Sequence, residues 1–553
     1  MKGKNNVIIL GLTHPISWNN AACVLVDGKL VAMVEEERLN RIKHAPRMAP
    51  GLAIGYCLKQ AGITLAQVDY VAVGFDRALQ VALGNFGTDK FMFGVKQAVL
   101  WFREVAIYER ELPLDQFDEM RVIHVNHHRA HAASAFLASG FPEANILSLD
   151  GTGGGESGIL GVGRGIDIQV LKKISNGGSW GAAYTGITEK LGFRPHSSEG
   201  KVMGLAAYGS PDTKGLPFVI WDGDIPVIDV RKQMAFIRSL PLRRKDDPVT
   251  DAHKNLAATL QFTLEQAAIR MSEWLYKRTG IRRLCLAGGS ALNCSMNGKL
   301  ALLPWVDEIF IQPAAYDAGT ALGAALTVQA QKTGQRPDWE MRHAYWGPEF
   351  SNEEIEDSLR KFPLLHYHKS ADIFSETAKL IREGKIVGWF QGRSEVGPRA
   401  LGNRSILADP SRPEMKDRVN NQVKHREPWR PFAPSVMEEA VGRYVARPMQ
   451  SPYMILAFDT KPEAQAEIVS AIHVDGTCRP QTVSRETNPR FWQLIKSFGE
   501  ISGIPALLNT SFNVDSQPIV NSPEEAIDTF LNCGIDVLAI GDFLALKKDG
   551  NEL

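Results

Sequence analysis

The 553-residue chain is too long for one hydrophobic core, so two or three domains are expected. With 44% apolar and 22% charged residues and a formal net charge of zero, it has a globular composition and lacks the charge excess of a nucleic-acid or membrane-surface binder. Its six cysteines, Cys23, Cys57, Cys285, Cys294, Cys478 and Cys533, form no CxxC pair, which argues against a disulfide framework or a cysteine-rich zinc site and fits a reducing cytoplasm.

Val7–Leu12 is an apolar run too short for a signal peptide or a membrane span and reads as a buried strand. After a polar turn, Ala22–Val26 and Leu30–Glu35 predict a hairpin around Asp27-Gly28. Leu52–Gln60 reads as a helix and Tyr70–Phe75 as a strand. In VNHHRAHAASAF, His127 and His131 stand four apart, on one face of a predicted helix. His124 and His128 share that spacing, but His124 falls in the preceding strand. The apolar run Ile146–Leu149 then ends at Asp150, which opens the glycine-rich turn Asp150–Ser157 containing Gly151, Gly153 and Gly154. Two imidazoles and a strand-end carboxylate suit a catalytic divalent metal such as Fe(II) or Zn(II). Further strands at Gly158–Val162 and Asp167–Ile174 repeat the strand–turn–hairpin order of the start. Such a duplication builds the actin-like ATPase and sugar-kinase architecture.

Asp251–Thr279 has helical spacing through Leu256, Leu260, Leu264, Ala267, Met271 and Trp274, with Gly280 as its stop. The strand Arg283–Ala287 runs into GGSALN, where Gly288, Gly289 and Asn293 form a turn suited to a phosphate. Asp317 centres another acidic-glycine turn, Pro313–Gly323. Gln329–Glu349 lacks periodicity and reads as the domain boundary. Beyond it, Lys385–Phe432 holds ten Lys/Arg against five Asp/Glu, several of the arginines beside Gly or Pro in GRSEVGPRALGNRS. Turn-borne arginines without interleaved aromatics point to a polyphosphate partner. Asn509, Ser511 and Asn513 alternate, which predicts one face of an extended segment.

These motifs together resemble the ATP-dependent O-carbamoyltransferases of antibiotic and nodulation-factor biosynthesis. The resemblance spans nearly the whole chain: VEEERLNRIKH, HHRAHAASAF, LDGTGGGES, EGKVMGLAAYG, GGSALN, YDAGTALGAA, GPRALGNRSILADP, KHREPWRPFAP and LNTSFN occur in the family's order. It implies an α/β protein. A duplicated actin-like (ASKHA) domain of the threonylcarbamoyl-transferase type is expected over residues 1–345, with halves 1–145 and 146–345. A YrdC-like α/β domain is expected over 346–553. The implied chemistry joins carbamoyl phosphate to ATP, with Mg2+, in the YrdC-like domain, giving carbamoyl-adenylate and pyrophosphate. The ASKHA domain then delivers the carbamoyl group to the hydroxyl of a small-molecule alcohol. By resemblance, Arg399, Lys424, Arg430, Arg479 and Ser511 bind nucleotide and carbamoyl group, with Asn509 and Asn513 as neighbours. His127, His131, Asp150 and Asp317 would hold Fe(II) or another divalent metal, and Lys43 would contact the adenylate.

One departure concerns the base for the acceptor hydroxyl. The family places a His-Asp pair just before the second strand, whereas Trp18 and Asn19 stand there in this chain. His14 is the nearest histidine; either it reaches in from a reshaped loop or the base lies elsewhere. Two other functions are weighed: a carbamoyl or threonylcarbamoyl transferase acting on tRNA or protein, and a nucleotide-switched ASKHA binding protein without transfer chemistry. Neutral charge counts against a tRNA enzyme. The switch protein leaves the histidine pair and the arginines unexplained. No membrane or nucleic-acid partner is expected, the expected location is the cytoplasm, and the sequence carries no oligomerisation signature.

Overall fold

The computed structural model describes residues 7–77, 112 and 121–548. The chain is mixed α/β and divides into two compact units. One comprises residues 1–40 and 44–341; the other comprises Arg41–Lys43 and 342–553.

The first unit is built on two five-stranded sheets. In the first, β1 (Ile8–Leu12), β2 (Ala21–Val26) and β3 (Lys29–Glu35) form an antiparallel meander, and β4 (Tyr70–Val73) and β5 (Val122–His124) add in parallel, in the order β3-β2-β1-β4-β5. Asp27 and Gly28 both take positive φ, 51° and 76°, as the tight β2–β3 turn requires. The second sheet contains β6 (Glu143–Gly153), β7 (Glu156–Arg164) and β8 (Asp167–Ser175). After the short hairpin of β9 (Val219–Ile220) and β10 (Val227–Ile228), it adds β11 (Arg283–Ala287) and β12 (Glu308–Ile311). Its order, β8-β7-β6-β11-β12, repeats the first sheet's strand for strand, again with the last two parallel. The duplication expected from the sequence is therefore present in the topology. The helix Asp251–Thr279 ends at Gly280 in the left-handed conformation, φ 69°.

One expectation is corrected. Asp150–Ser157 is not a turn throughout: β6 continues through Asp150 to Gly153, which pairs with Glu156, and only Gly154 and Gly155 turn, with φ 59° and 91°. Apolar burial stops at Asp150, but the hydrogen-bond ladder does not, so hydrophobicity alone ended the strand too early.

Small residues bring the two halves of this unit together. The helices His127–Phe136 and Ala318–Thr333 approach so closely that a Cβ at Gly323 would lie 1.8 Å from the Ala130 carbonyl oxygen. A Cβ at Gly11 would come within 2.3 Å of the Ala321 carbonyl. Glycine at both positions lets backbone meet backbone. The first residue of one helix and the residue preceding the other are thereby set side by side.

The second unit is organised on one mixed eight-stranded sheet. Its strands are β13 (Leu365–Lys369), β14 (Val387–Phe390), β15 (Arg404–Ala408), β16 (Ala433–Met437), β19 (Gln481–Val483), β20 (Ala506–Ser511), β21 (Val537–Ile540) and β22 (Phe543–Lys547). The order is β13-β22-β21-β14-β15-β20-β16-β19; β17 (Phe458–Asp459) and β18 (Thr477–Cys478) pair apart from it. Phe390, Phe432, Phe512 and Phe530 fill the core on one face.

The stretch GRSEVGPRALGNRS also differs from expectation. Arg404 lies on β15 and is fully buried over the Phe390 ring, its guanidinium donating to the carbonyls of Gln391 (2.7 Å) and Pro348 (3.1 Å). Arg393 donates to the carbonyls of Gly347 and Trp346. These two arginines satisfy loop carbonyls that folding would otherwise strand, so only Arg399 of the three joins the cation cluster described below.

Candidate functional site

In the first unit, the helix His127–Phe136 begins where Asn126 caps it, accepting from Arg129 N at 3.1 Å. Asp76, three residues beyond the end of β4, accepts from Asn126 Nδ2 (3.0 Å) and His127 N (3.3 Å), placing a carboxylate at the positive helix end. His127 and His131 then face the same way, with their Nε2 atoms 3.2 Å apart. Asp150 Oδ2 lies 3.2 Å from His127 Nε2 and 3.4 Å from His131 Nε2. Asp317 Oδ1 lies 3.7 and 3.8 Å from the same two nitrogens. Four donors, two imidazole nitrogens and two carboxylate oxygens, thus gather within 4.8 Å of one another. The other oxygens anchor the carboxylates: Gly289 N donates to Asp150 Oδ1 and Trp18 N to Asp317 Oδ2, each at 2.9 Å. Asp317 precedes a helix yet makes no capping hydrogen bond, its side chain being turned to the histidines.

The electrostatics of this group conflict internally. Burial alone would lower the His127 pKa, but the hydrogen bond to Asp150 and the charges of Asp317, Asp150 and Asp76 outweigh it and raise it. Burial would raise Asp150, but the hydrogen bonds of His127 and His131 hold it well below the usual carboxylate range. Asp317 is raised by burial and then by the Asp150 charge. Two carboxylates this close repel unless a proton or a cation sits between them. The donor set, two imidazoles with two carboxylates, matches the ligand chemistry of a divalent transition metal, so the residues fit the group that the sequence implied.

The glycines named from sequence play several parts. A Cβ at Gly153 would strike His127 Cδ2 at 2.0 Å, and one at Gly154 would meet Asp76 Oδ2 at 2.2 Å. Gly288 takes φ 82°, and a Cβ there would meet the Leu149 carbonyl at 2.3 Å, while Gly151 has open space on its Cβ side. Asn293 is committed to structure, accepting from Met296 N (3.0 Å) and exchanging hydrogen bonds with Gln261 (2.9 and 2.8 Å). His14 is not among the four donors. It is buried, its Nδ1 accepts from Ile16 N at 3.2 Å, and its ring packs on Phe75, which packs in turn on His127.

In the second unit, Lys424 is buried, and its ammonium reaches Ser511 Oγ (3.2 Å), Ser511 O (2.5 Å), Asn513 O (2.8 Å) and Asn513 Oδ1 (2.7 Å). Burial and then the charges of Arg426, Arg430 and Lys43 push its pKa well below the ordinary lysine value. Arg426 is driven down by burial and by Arg430, Arg479 and Arg399, against one opposing carboxylate, Glu427. Lys43 belongs to this unit by its contacts, donating to the Gln517 carbonyl at 3.2 Å. Arg430 and Lys43 thus act on Lys424, and Arg399, Arg430 and Arg479 on Arg426. Asn509 Nδ2 donates to Ala400 O, Ser435 Oγ and Gln481 Oε1, while its buried Oδ1 has no hydrogen-bond partner among the described residues. Arg426, one of the ten Lys/Arg of Lys385–Phe432, has no sequence signal of its own beyond its place two residues after Lys424.

Residues 8–326 match the carbamoyltransferase N-terminus family and residues 378–547 the carbamoyltransferase C-terminus family. The chain belongs to the carbamoyltransferase family. It is 38% identical to nodulation protein NolNO of Sinorhizobium fredii over 98% of this chain and 80% of that protein. It is 43% identical to nodulation protein NolO of Bradyrhizobium diazoefficiens over 77% of this chain and 79% of that one. Among solved structures, full-length HypF in its phosphate- and nucleotide-bound form is similar over 62% of this chain and 57% of its own, at 15% identity and TM-score 0.39, too remote to carry an inference. This carbamoyltransferase has, among its described residues, no helix long and apolar enough to cross a membrane.

Proposed function

We propose that this carbamoyltransferase makes carbamoyl-adenylate from carbamoyl phosphate and ATP in its second unit, which we read as YrdC-like. The first unit, read as ASKHA-type, transfers the carbamoyl group to a hydroxyl of a small molecule, a natural product or glycoside. The observation carrying this reading is the cation cluster: Arg426, Arg430 and Lys43 act on a buried Lys424, whose ammonium is held by Ser511 and Asn513, and Arg430, Arg479 and Arg399 act on Arg426, with Glu427 opposing. Cations that depress one another's pKa are compensated by a polyanion, and a triphosphate with carbamoyl phosphate supplies one. Atom balance fixes the overall reaction: carbamoyl phosphate, ATP and water give carbamoyl-adenylate, pyrophosphate and phosphate.

The transfer step asks for the opposite environment, an anchored phosphate whose neighbouring carbonyl stays open to attack. His127, His131, Asp150 and Asp317 would hold the divalent metal, Fe(II) by resemblance, which when bound supplies positive charge to a phosphate oxygen and improves AMP as leaving group. Gly289 N and Trp18 N keep the two carboxylates oriented. All six cysteines are buried and none is paired in a disulfide, which supports a cytoplasmic location.

The test is pyrophosphate release from ATP by metal-replete protein with Mg2+. Release that depends on carbamoyl phosphate is expected. Release independent of it, or none, would sink the adenylate reading and leave a carbamoyltransferase of another donor.

A further inference from the structure

Glu395 stands four residues before Arg399 in the second unit and is buried. Although arginines flank it on both sides in GRSEVGPRALGNRS, its carboxylate serves the backbone. Oε1 accepts from Leu401 N (2.9 Å), Asn403 N (2.8 Å) and Arg404 N (3.0 Å). Three N–H donors on one carboxylate oxygen form charge-assisted hydrogen bonds, each about twice as strong as a neutral one. Oε2 is buried as well and has no hydrogen-bond partner among the described residues. A carboxylate set in the interior with one oxygen bare costs free energy, which calls for a reason beyond packing.

The carboxylate closes a ring. The chain from Glu395 to Leu401 returns onto the Glu395 side chain, and Arg399 lies within that span. Glycines make the bends, Gly397 with φ 101° inside the ring and Gly402 with φ 100° just after it. The ring is also pinned from outside. Val396 N donates to the Ala344 carbonyl at 2.8 Å, and the Leu401 carbonyl accepts from Gln481 Nε2 (2.7 Å) and the Tyr345 hydroxyl (2.8 Å). Charge gives this rigidity something to oppose. Burial, then the charges of Arg430, Arg479 and Arg399, push down the Arg426 pKa, so these guanidinium groups repel one another. On a free loop such repulsion would turn Arg399 out to water, and a polyanion would have to order the loop again on binding.

We infer that Glu395 is a positioning residue of this carbamoyltransferase: through three backbone N–H groups its carboxylate holds the Arg399 loop, so that the Arg399 guanidinium stays among the cations of the second unit and meets a phosphate oxygen of the polyanionic substrate without reorganisation. Glu395 touches no substrate and acts through the backbone. Its three bonds order the loop during folding, so that binding does not have to. The inference rests on the cation cluster as the polyanion site, the reading proposed above, and adds the residue outside the cluster that sets its geometry.

The test is a double-mutant cycle on the full chain, read by calorimetric binding of inorganic pyrophosphate in the presence of Mg2+. Glu395→Gln keeps the side-chain volume and an acceptor oxygen for the three N–H groups; it removes the charge and replaces the bare oxygen. Arg399→Ala is expected to weaken pyrophosphate binding by about tenfold, the loss of one charge-assisted hydrogen bond. Glu395→Gln is expected to weaken it by about fivefold in the wild-type background, as three charge-assisted bonds become neutral ones. In the Arg399→Ala background the same change should have an effect of less than about twofold, because nothing remains to be positioned. Glu395→Ala is the second variant and should weaken binding more than Glu395→Gln, again only where Arg399 is present. A purely structural carboxylate would cause the same loss in both backgrounds, and that result overturns the inference. So does unchanged affinity in both Glu395 variants, and so does a wild-type chain that binds no pyrophosphate. Absence of carbamoyl-phosphate-dependent pyrophosphate release alongside a coupled cycle would remove the adenylate reading and leave this inference standing.

Discussion

The four-donor group depends on a glycine that is not one of its members, and this gives its sharpest test. At Gly153 an added Cβ would lie 2.0 Å from His127 Cδ2, 2.6 Å from Cγ and 2.7 Å from Nε2. Gly153 is not among the positive-φ residues, so alanine strains no backbone and the collision with the ring is the whole perturbation. Ordinary contact begins at 3.4 Å, so the ring must retreat by the difference, about 1.4 Å. Metal–ligand distances tolerate only about 0.2 Å, so His127 would leave the coordination sphere. Loss of a supporting outer contact weakens a metal site by about 10–100-fold, and loss of a ligand should do at least that, or about 1.4–2.8 kcal/mol. Gly151→Ala is the internal control, since a Cβ there meets nothing within 4 Å on the same strand. Divalent-metal affinity measured by competition with a chromogenic chelator should fall for Gly153→Ala and stay within twofold of wild type for Gly151→Ala. Equal affinity in Gly153→Ala and wild type would refute the assignment of His127 as a ligand. Equal weakening in both variants would show a general defect of the strand.

Three further outcomes follow from the separate chemistry of the two units. His131→Ala should abolish carbamoyl transfer yet keep carbamoyl-phosphate-dependent pyrophosphate release within a few-fold of wild type; parallel loss of both activities would count against two sites. Lys424→Ala should abolish pyrophosphate release while transfer from supplied carbamoyl-adenylate persists, and it should cost about 2 kcal/mol of stability by releasing Ser511 and Asn513, read from the denaturant midpoint. His343 is stacked on Trp346 and Tyr345, and burial, then the Arg393 charge, lowers its pKa from 6.5 to about 4. A depressed folded-state value means the unfolded chain binds the proton first, so this contribution is present above pH 6.5 and is lost as pH falls towards 4. Its size is on the order of 2–3 kcal/mol after allowance for partial exposure. His343→Gln should flatten the stability profile between those limits, and an unchanged slope in chemical denaturation would contradict the burial argument.

What could be read from the chain, and what could not, follows sequence distance. The β2–β3 hairpin around Asp27-Gly28 and the long helix ending at Gly280 were legible because the residues that specify them lie within a few positions of one another. The duplicated sheet was legible because each copy repeats the same local order. The eight-stranded sheet was not: β13 pairs with β22 across most of the second unit, and β14 runs parallel to β21, pairings that no local period encodes. The arginine-rich stretch misled for a related reason. Arg393, Arg399 and Arg404 look alike in sequence, and only the positions of Trp346, Gly347, Pro348 and Gln391 decide which of them hold carbonyls and which faces the cation cluster.

The same reasoning explains why three of the four donors were readable by spacing and one was not. His127 and His131 are one helical turn apart, and Asp150 ends the next apolar run, so the three form a local pattern. Asp317 enters only because glycine at 323 lets its helix press against the His127 helix, a contact across almost two hundred residues that spacing does not record. Trp18 depends on that contact in turn, since its backbone bond is to Asp317. A larger residue at Gly323 would therefore disturb the arrangement of the four donors, although it touches none of them. Gly323→Ala places a Cβ 1.8 Å from the Ala130 carbonyl oxygen and should weaken divalent-metal affinity in the same chelator competition. A variant that folds with wild-type metal affinity would refute this helix contact as what brings Asp317 to the histidines.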